Sequence, residues 1–107
     1  MRIAIAGAGA MGSKFGWHLK RANNNVTLID SWDKNIAAVR KNGVIAKVKD
    51  QEITEKMPIY NPEEIDEQRE NVDLLIVFTK SMQLEGMLNN LKPIISKNTY
   101  VLCLLMA

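Results

Sequence analysis

The stretch that decides the fold is Arg2-Ile3-Ala4-Ile5-Ala6-Gly7-Ala8-Gly9-Ala10-Met11-Gly12-Ser13. Residues 2–6 are short and almost wholly apolar, the pattern of a strand covered on both faces. Three glycines at Gly-x-Gly-x-x-Gly spacing follow at once. Behind them the apolar residues recur at helical period, which predicts a helix over 10–22 with Met11, Phe15, Leu19 and Ala22 as its stripe. A glycine loop set between a buried strand and an amphipathic helix is what a phosphate cradle requires. Gly7 permits the tight turn, Gly9 lets a pyrophosphate approach the bare backbone, and Gly12 lets the helix pack close to the sheet. Ala8 completes the loop, and the amides of Ala10, Met11 and Gly12 point at the phosphate from the positive end of the helix. A glycine turn in an α/β protein that binds something else, or nothing, is the alternative, and the order strand, loop, helix weighs against it.

Working outward, Asn23-Asn24-Asn25 ends the first helix, since Asn tolerates a left-handed cap. Strand 26–30 then closes on Asp30, about 20 residues beyond the loop, where a carboxylate accepts hydrogen bonds from adenosine ribose hydroxyls. An acid there favours NAD over NADP, because it would face the additional phosphate. The alternative is an aspartate that only caps the next turn. Trp32 could cover an adenine or act as a packing staple, and the staple is the simpler reading. Asp33 is placed to cap a helix over 34–42, with Gly43 to stop it.

Residues 44–48 and 52–57 read as a strand and a small antiparallel excursion around Lys49-Asp50-Gln51. Asn61-Pro62-Glu63-Glu64 starts a short helix, with proline in its first turn and acids suited to the dipole. The most apolar strand is 72–79, and Thr79-Lys80-Ser81-Met82-Gln83 follows at its carboxyl end, the edge where open α/β sheets bind ligands. Lys80 there could reach a phosphate or a carboxylate, or simply be solvated. Ser81 caps a helix whose stripe is Leu84, Met87, Leu88 and Leu91, Pro93 ends or kinks it, and 100–105 is read as a last buried strand. Strands alternating with helices imply an α/β fold, a Rossmann-like parallel sheet with helices on both faces, in one domain over 1–107.

The composition excludes several classes. The chain has 107 residues, 47% of them hydrophobic, and a net charge of +2, too small to imply a nucleic-acid partner. Charges of both signs are interleaved, as in Glu52-Ile53-Thr54-Glu55-Lys56. Cys103 is the single cysteine, so no disulfide framework and no metal cluster is expected. Within its apolar run it reads as a small buried hydrophobe. His18 has no ligating partner in register and reads as a surface residue. No run reaches the length of a membrane span and no leader opens the chain, so a cytoplasmic protein is expected. If strand 100–105 were a bare edge, it would invite pairing with a second chain into a homo-oligomer.

The opening residues 1–13, together with Val72-Asp73-Leu74-Leu75-Ile76-Val77-Phe78-Thr79-Lys80 and the following Gln83, resemble the ketopantoate reductases (2-dehydropantoate 2-reductases). The resemblance covers the whole chain but only the amino-terminal half or less of a family member. It implies a nicotinamide-dependent oxidoreductase that reduces a small 2-keto acid, 2-dehydropantoate, to pantoate on the way to pantothenate. It also implies that Gly7 to Gly12 hold the pyrophosphate and that Lys80 contacts the cofactor near the substrate. Two departures stand out. NADPH-using members tend to carry an arginine after strand two, where this chain has Asp30-Ser31, so NAD is the expected cofactor. An Asn-Gly pair usually follows the last strand, where this chain has Met106-Ala107. The family's catalytic lysine and substrate-binding acid belong to a later helical domain, so no catalytic residue is assigned here and the chain alone is expected to be inactive. The other readings are an NAD-dependent D-2-hydroxy acid dehydrogenase of the same family and a non-catalytic nucleotide-sensing module.

Overall fold

The computed structural model describes residues 1–7, 9–65, 71–79 and 84–105. In chain order its elements are β1 (Arg2–Gly7), α1 (Gly9–Arg21), β2 (Asn25–Ile29), α2 (Asp33–Asn42), β3 (Val44–Val48), β4 (Gln51–Glu55), β5 (Ile59–Tyr60), β6 (Leu74–Thr79), α3 (Leu84–Asn90) and β7 (Tyr100–Leu105). Among the described residues β5-β2-β1-β6-β7 form one sheet in that order, with all four pairings parallel. The chain builds outward from β1 first to one side and then to the other. The reversal of direction falls between β1 and β6, and a crevice opens at their carboxyl ends.

Alternation along each strand divides the core in two. Ile3, Ile5, Val26, Leu28, Ile76 and Phe78 face α1 and α2, where Trp17, Ile36 and Val39 cover them. Ala4, Ala6, Ile29, Leu75 and Val77 point the other way, and Leu91, Ile94 and the half-buried Leu84, Met87 and Leu88 cover that face. Helices therefore lie on both faces, as the apolar runs of β1 and β6 require. Burial of each large aliphatic side chain contributes roughly 1.5–3 kcal/mol.

The stripe expected on α1 is not its buried face. Met11 and Phe15 are 56% and 43% exposed, while Gly12, Ser13, Gly16 and Trp17 turn inward. The reason is close approach. A Cβ on Gly16 would lie 2.9 Å from Leu28 Cδ2 and 3.1 Å from Met57 Sδ. The helix rests on the sheet through small residues beside the buried Trp17, and Met11 and Phe15 are pushed to the flanks. Phe15 still meets Phe78 edge to face, with ring centroids 5.7 Å apart. Asn23 takes the left-handed conformation (φ 68°) after α1, and Gly43 (φ 74°) ends α2.

The excursion is a hairpin of its own. β3 and β4 pair antiparallel across Lys49 and Asp50, both at positive φ as a two-residue hairpin turn demands. It lies against α1, where Trp17 Nε1 donates to the Ile53 carbonyl at 3.0 Å. The sequence reading missed β5, whose two residues are too few to show a period, although Ile59 is 1% exposed. Asn61 and Glu64 form a capping box, but the element they start is a single 3-10 turn, Pro62–Glu64.

At the far edge, β7 departs from expectation. Tyr100, Val101, Leu102 and Cys103 are exposed, so the run is neither buried nor a shelter for its cysteine. As an outer strand it pairs only with β6 among the described residues, and its half-buried member is Leu104, packed against the core on the α1 side. No helix is long and apolar enough to cross a membrane, and no group of three or more His, Cys, Asp or Glu converges, among the described residues.

Candidate functional site

β1 delivers the chain to the carboxyl edge of the sheet at Gly7, whose φ of 89° only glycine adopts readily. The register pairs Gly7 with Phe78 on β6, and a Cβ there would sit 2.1 Å from the Phe78 carbonyl oxygen. Gly12, one turn into α1, closes on the same point, where its added Cβ would be 2.4 Å from the Gly7 oxygen. The two glycines lock strand, loop and helix together. Gly9 behaves differently. It starts α1 at φ 48°, and a Cβ added to it would meet nothing within 4 Å among the described residues. The helix has no acidic side chain in its first turn to occupy the positive end.

Asp30 follows the last residue of β2 at the same edge. β5 fixes it there, since the Asp30 N–H donates to the Tyr60 carbonyl at 2.9 Å and Leu28 N–H to the Pro58 carbonyl at 2.8 Å. Asp30 is 8% exposed, and its carboxylate accepts from the Trp32 N–H at 3.2 Å and from Asn35 Nδ2 at 2.7 Å. Here the expected capping by Asp33 is corrected. α2 begins at Asp33 itself and its N-cap is Trp32, which makes no side-chain cap bond. Asp30 organises that turn in place of Asp33. Trp32 is 59% exposed, so it is not a packing staple.

The structure thus brings Gly7, Gly9, Gly12 and Asp30 to one edge, beside the end of β6 at Thr79. Met11 lies in the first turn of α1 with its side chain exposed, and Ala10 is a backbone member of the same turn. Ala8, Lys80 and Gln83 lie outside the described residues, as does Met106-Ala107. Sequence reasoning missed Asn35. The signal was present, because an amide in the first turn of a helix that follows a strand-end acid can bond back to it.

A parallel sheet ordered in this way, with a glycine loop at its reversal point, defines a Rossmann-like α/β domain. The family model described as ketopantoate reductase PanE/ApbA matches residues 3–105, and the chain belongs to that family. It is 48% identical over 105 residues to the 2-dehydropantoate 2-reductase of Lactococcus lactis subsp. lactis, covering 98% of this chain and 33% of that protein. Among solved structures it is similar to a candidate 2-dehydropantoate 2-reductase from Enterococcus faecalis (54% identity, TM-score 0.91, 98% of this chain and 34% of that one). It is similar also to a D-mandelate dehydrogenase determined with NADH and anilino(oxo)acetate (47% identity, TM-score 0.86, 98% and 33%). The chain spans about a third of the length of these relatives.

Proposed function

We propose that residues 1–107 are the dinucleotide-binding domain of a 2-dehydropantoate 2-reductase-like oxidoreductase and that the domain takes NAD(H). The observation that carries this is the contrast within the loop. Gly7 and Gly12 are closed off by backbone, while Gly9, where a pyrophosphate must approach, has none of the described residues in the way. The residues fit the cofactor. Gly7 to Gly12 would hold the pyrophosphate on their amides, and Asp30 would accept from the adenosine ribose. The exposed Trp32 is placed to cover the adenine, and Thr79, Lys80 and Gln83 would flank the nicotinamide side, Lys80 by family resemblance. Once bound, the cofactor supplies the hydride that reduces a 2-keto acid. This chain's part is to bind and orient, while the general acid and the carboxylate clamp that such a reduction needs would come from the longer protein.

Reduction of 2-dehydropantoate to pantoate is the reading that the names of the relatives support. A D-2-hydroxy acid dehydrogenase is the second reading, favoured by the likeness to the NADH-bound D-mandelate dehydrogenase together with Asp30 at the ribose position. Titration of the chain with NADH, followed by nicotinamide fluorescence, tests the binding claim. Wild type should bind, and Gly9→Ala should bind at least tenfold more weakly while melting within about 8 °C of wild type, since its strain costs about 1 kcal/mol. Equal affinity of the two proteins would remove the phosphate site from this loop.

A further inference from the structure

An ionised carboxylate offers about four acceptor positions on its two oxygens. In Asp30 one position on each oxygen is occupied, Oδ1 by the Trp32 N–H at 3.2 Å and Oδ2 by Asn35 Nδ2 at 2.7 Å. About one acceptor position remains on each oxygen, which is the number two neighbouring hydroxyls require. The two restraints differ in kind. The Trp32 bond is long and comes from backbone, so any residue there except proline would make it. The Asn35 bond is short and charge-assisted, the stronger type. The terminal torsion of an aspartate is broad and roughly two-fold, so its plane is set by whatever holds it. Asn35 is half-buried in the first turn of α2 and lines the groove it shares with Ser13, Lys14 and Val39. The buried residues of the helix are Ile36 and Val39. A neutral amide also orients the carboxylate without cancelling its charge, as a lysine or arginine would.

From this geometry we infer that Asn35 is a positioning residue for cofactor choice. It turns the Asp30 carboxylate so that its remaining acceptors meet the ribose diol, and it leaves the full negative charge to oppose a 2′-phosphate. The inference rests on the dinucleotide reading given above and names a residue that sharpens it.

The test is the affinity of this chain for NADH and NADPH, measured side by side in wild type, Asp30→Ala, Asn35→Ala and Asn35→Lys, with a thermal melt of each. Asn35→Ala should lose about tenfold in NADH affinity and change NADPH affinity little, so the ratio falls. Asn35→Lys retains a donor but offsets the charge, and should raise NADPH affinity. A residue needed only to start α2 would weaken both ligands together and lower the melting temperature, leaving the ratio intact. That result in Asn35→Ala, with the ratio collapsed in Asp30→Ala, overturns this inference alone. Wild type that binds neither dinucleotide overturns the domain reading and this inference with it. Should Asn35→Ala fail to fold, Asn35→Ser takes its place in the same comparison, since serine keeps a polar helix start while withdrawing the amide that reaches Asp30, and an unchanged ratio there overturns the inference.

Discussion

The root of the glycine loop and its tip are made of the same residue type for opposite reasons. At the root, Gly7 and Gly12 are glycine because backbone atoms stand where a side chain would be, 2.1 and 2.4 Å from the added Cβ. At the tip, an added Cβ on Gly9 would meet none of the described residues within 4 Å. The fold demands the first pair. Only a ligand gives a reason for the third, beyond its φ of 48°. A glycine motif is therefore two constraints written in one alphabet, and substitution can pull them apart.

The largest effect should come from Gly7→Ala. The new methyl meets the Phe78 carbonyl oxygen, a backbone atom in the centre of the sheet, at a residue already at φ 89°. Relief requires β1 and β6 to separate, so a loss above about 4 kcal/mol is expected, enough to unfold a domain of ordinary stability. Circular dichroism at room temperature checks it, and a cooperative melt near that of wild type would show that the root is looser than described. Gly12→Ala should cost less, about 2–3 kcal/mol, because its methyl meets the Gly7 oxygen at the edge of the loop and alanine favours the helix. Denaturant midpoints measure this, and an unchanged midpoint would contradict the locked root. Gly16→Ala should be the mildest of the three. Its methyl meets the ends of the Leu28 and Met57 side chains, which can yield, and the roughly 1 kcal/mol gained in helix propensity offsets the crowding. A net change within about 1 kcal/mol is expected, and a loss as large as that of Gly12→Ala would mean that side-chain ends there are as unyielding as backbone.

The same distinction explains what was legible in the sequence. Strands β1, β2 and β6 announce themselves because strands buried on both faces are apolar throughout, and the glycine spacing fixes what joins β1 to α1. The inward face of α1 was misread because Gly12, Ser13 and Gly16, which share it with Trp17, carry little hydrophobic signal, while Met11 and Phe15 carry much and lie outside. β5 escaped because two residues have no period. β7 was read as buried because an apolar run such as 100–105 looks the same whether or not anything covers it. Its position at the edge is a property of the sheet order, which no local pattern encodes. At the site, the loop glycines and Asp30 could be read from spacing alone. Asn35 was missed although its residue type carried a signal, because its bond to Asp30 depends on where α2 starts, and helix starts shift by a residue or two on small differences in turn chemistry.

The comparison also bears on Asp30. It has the geometry of a turn organiser and lies at the strand end where we propose the ribose binds, and the hydrogen bonds to Trp32 and Asn35 are compatible with both. What separates the two roles is charge. A carboxylate about 5 Å from one phosphate charge, at an effective dielectric near 20, costs roughly 3 kcal/mol, on the order of a hundredfold in affinity. A turn organiser that never meets the cofactor imposes no such difference.

The most direct test of the account is therefore the ratio of dissociation constants of this chain for NADPH and NADH, compared with the same ratio in Asp30→Ala. The account predicts NADH bound on the order of a hundredfold more tightly by wild type, with the gap closing to within about tenfold when the carboxylate is removed. Equal binding of the two cofactors by wild type, or tighter NADPH, would contradict it and leave Asp30 as a residue of the turn alone.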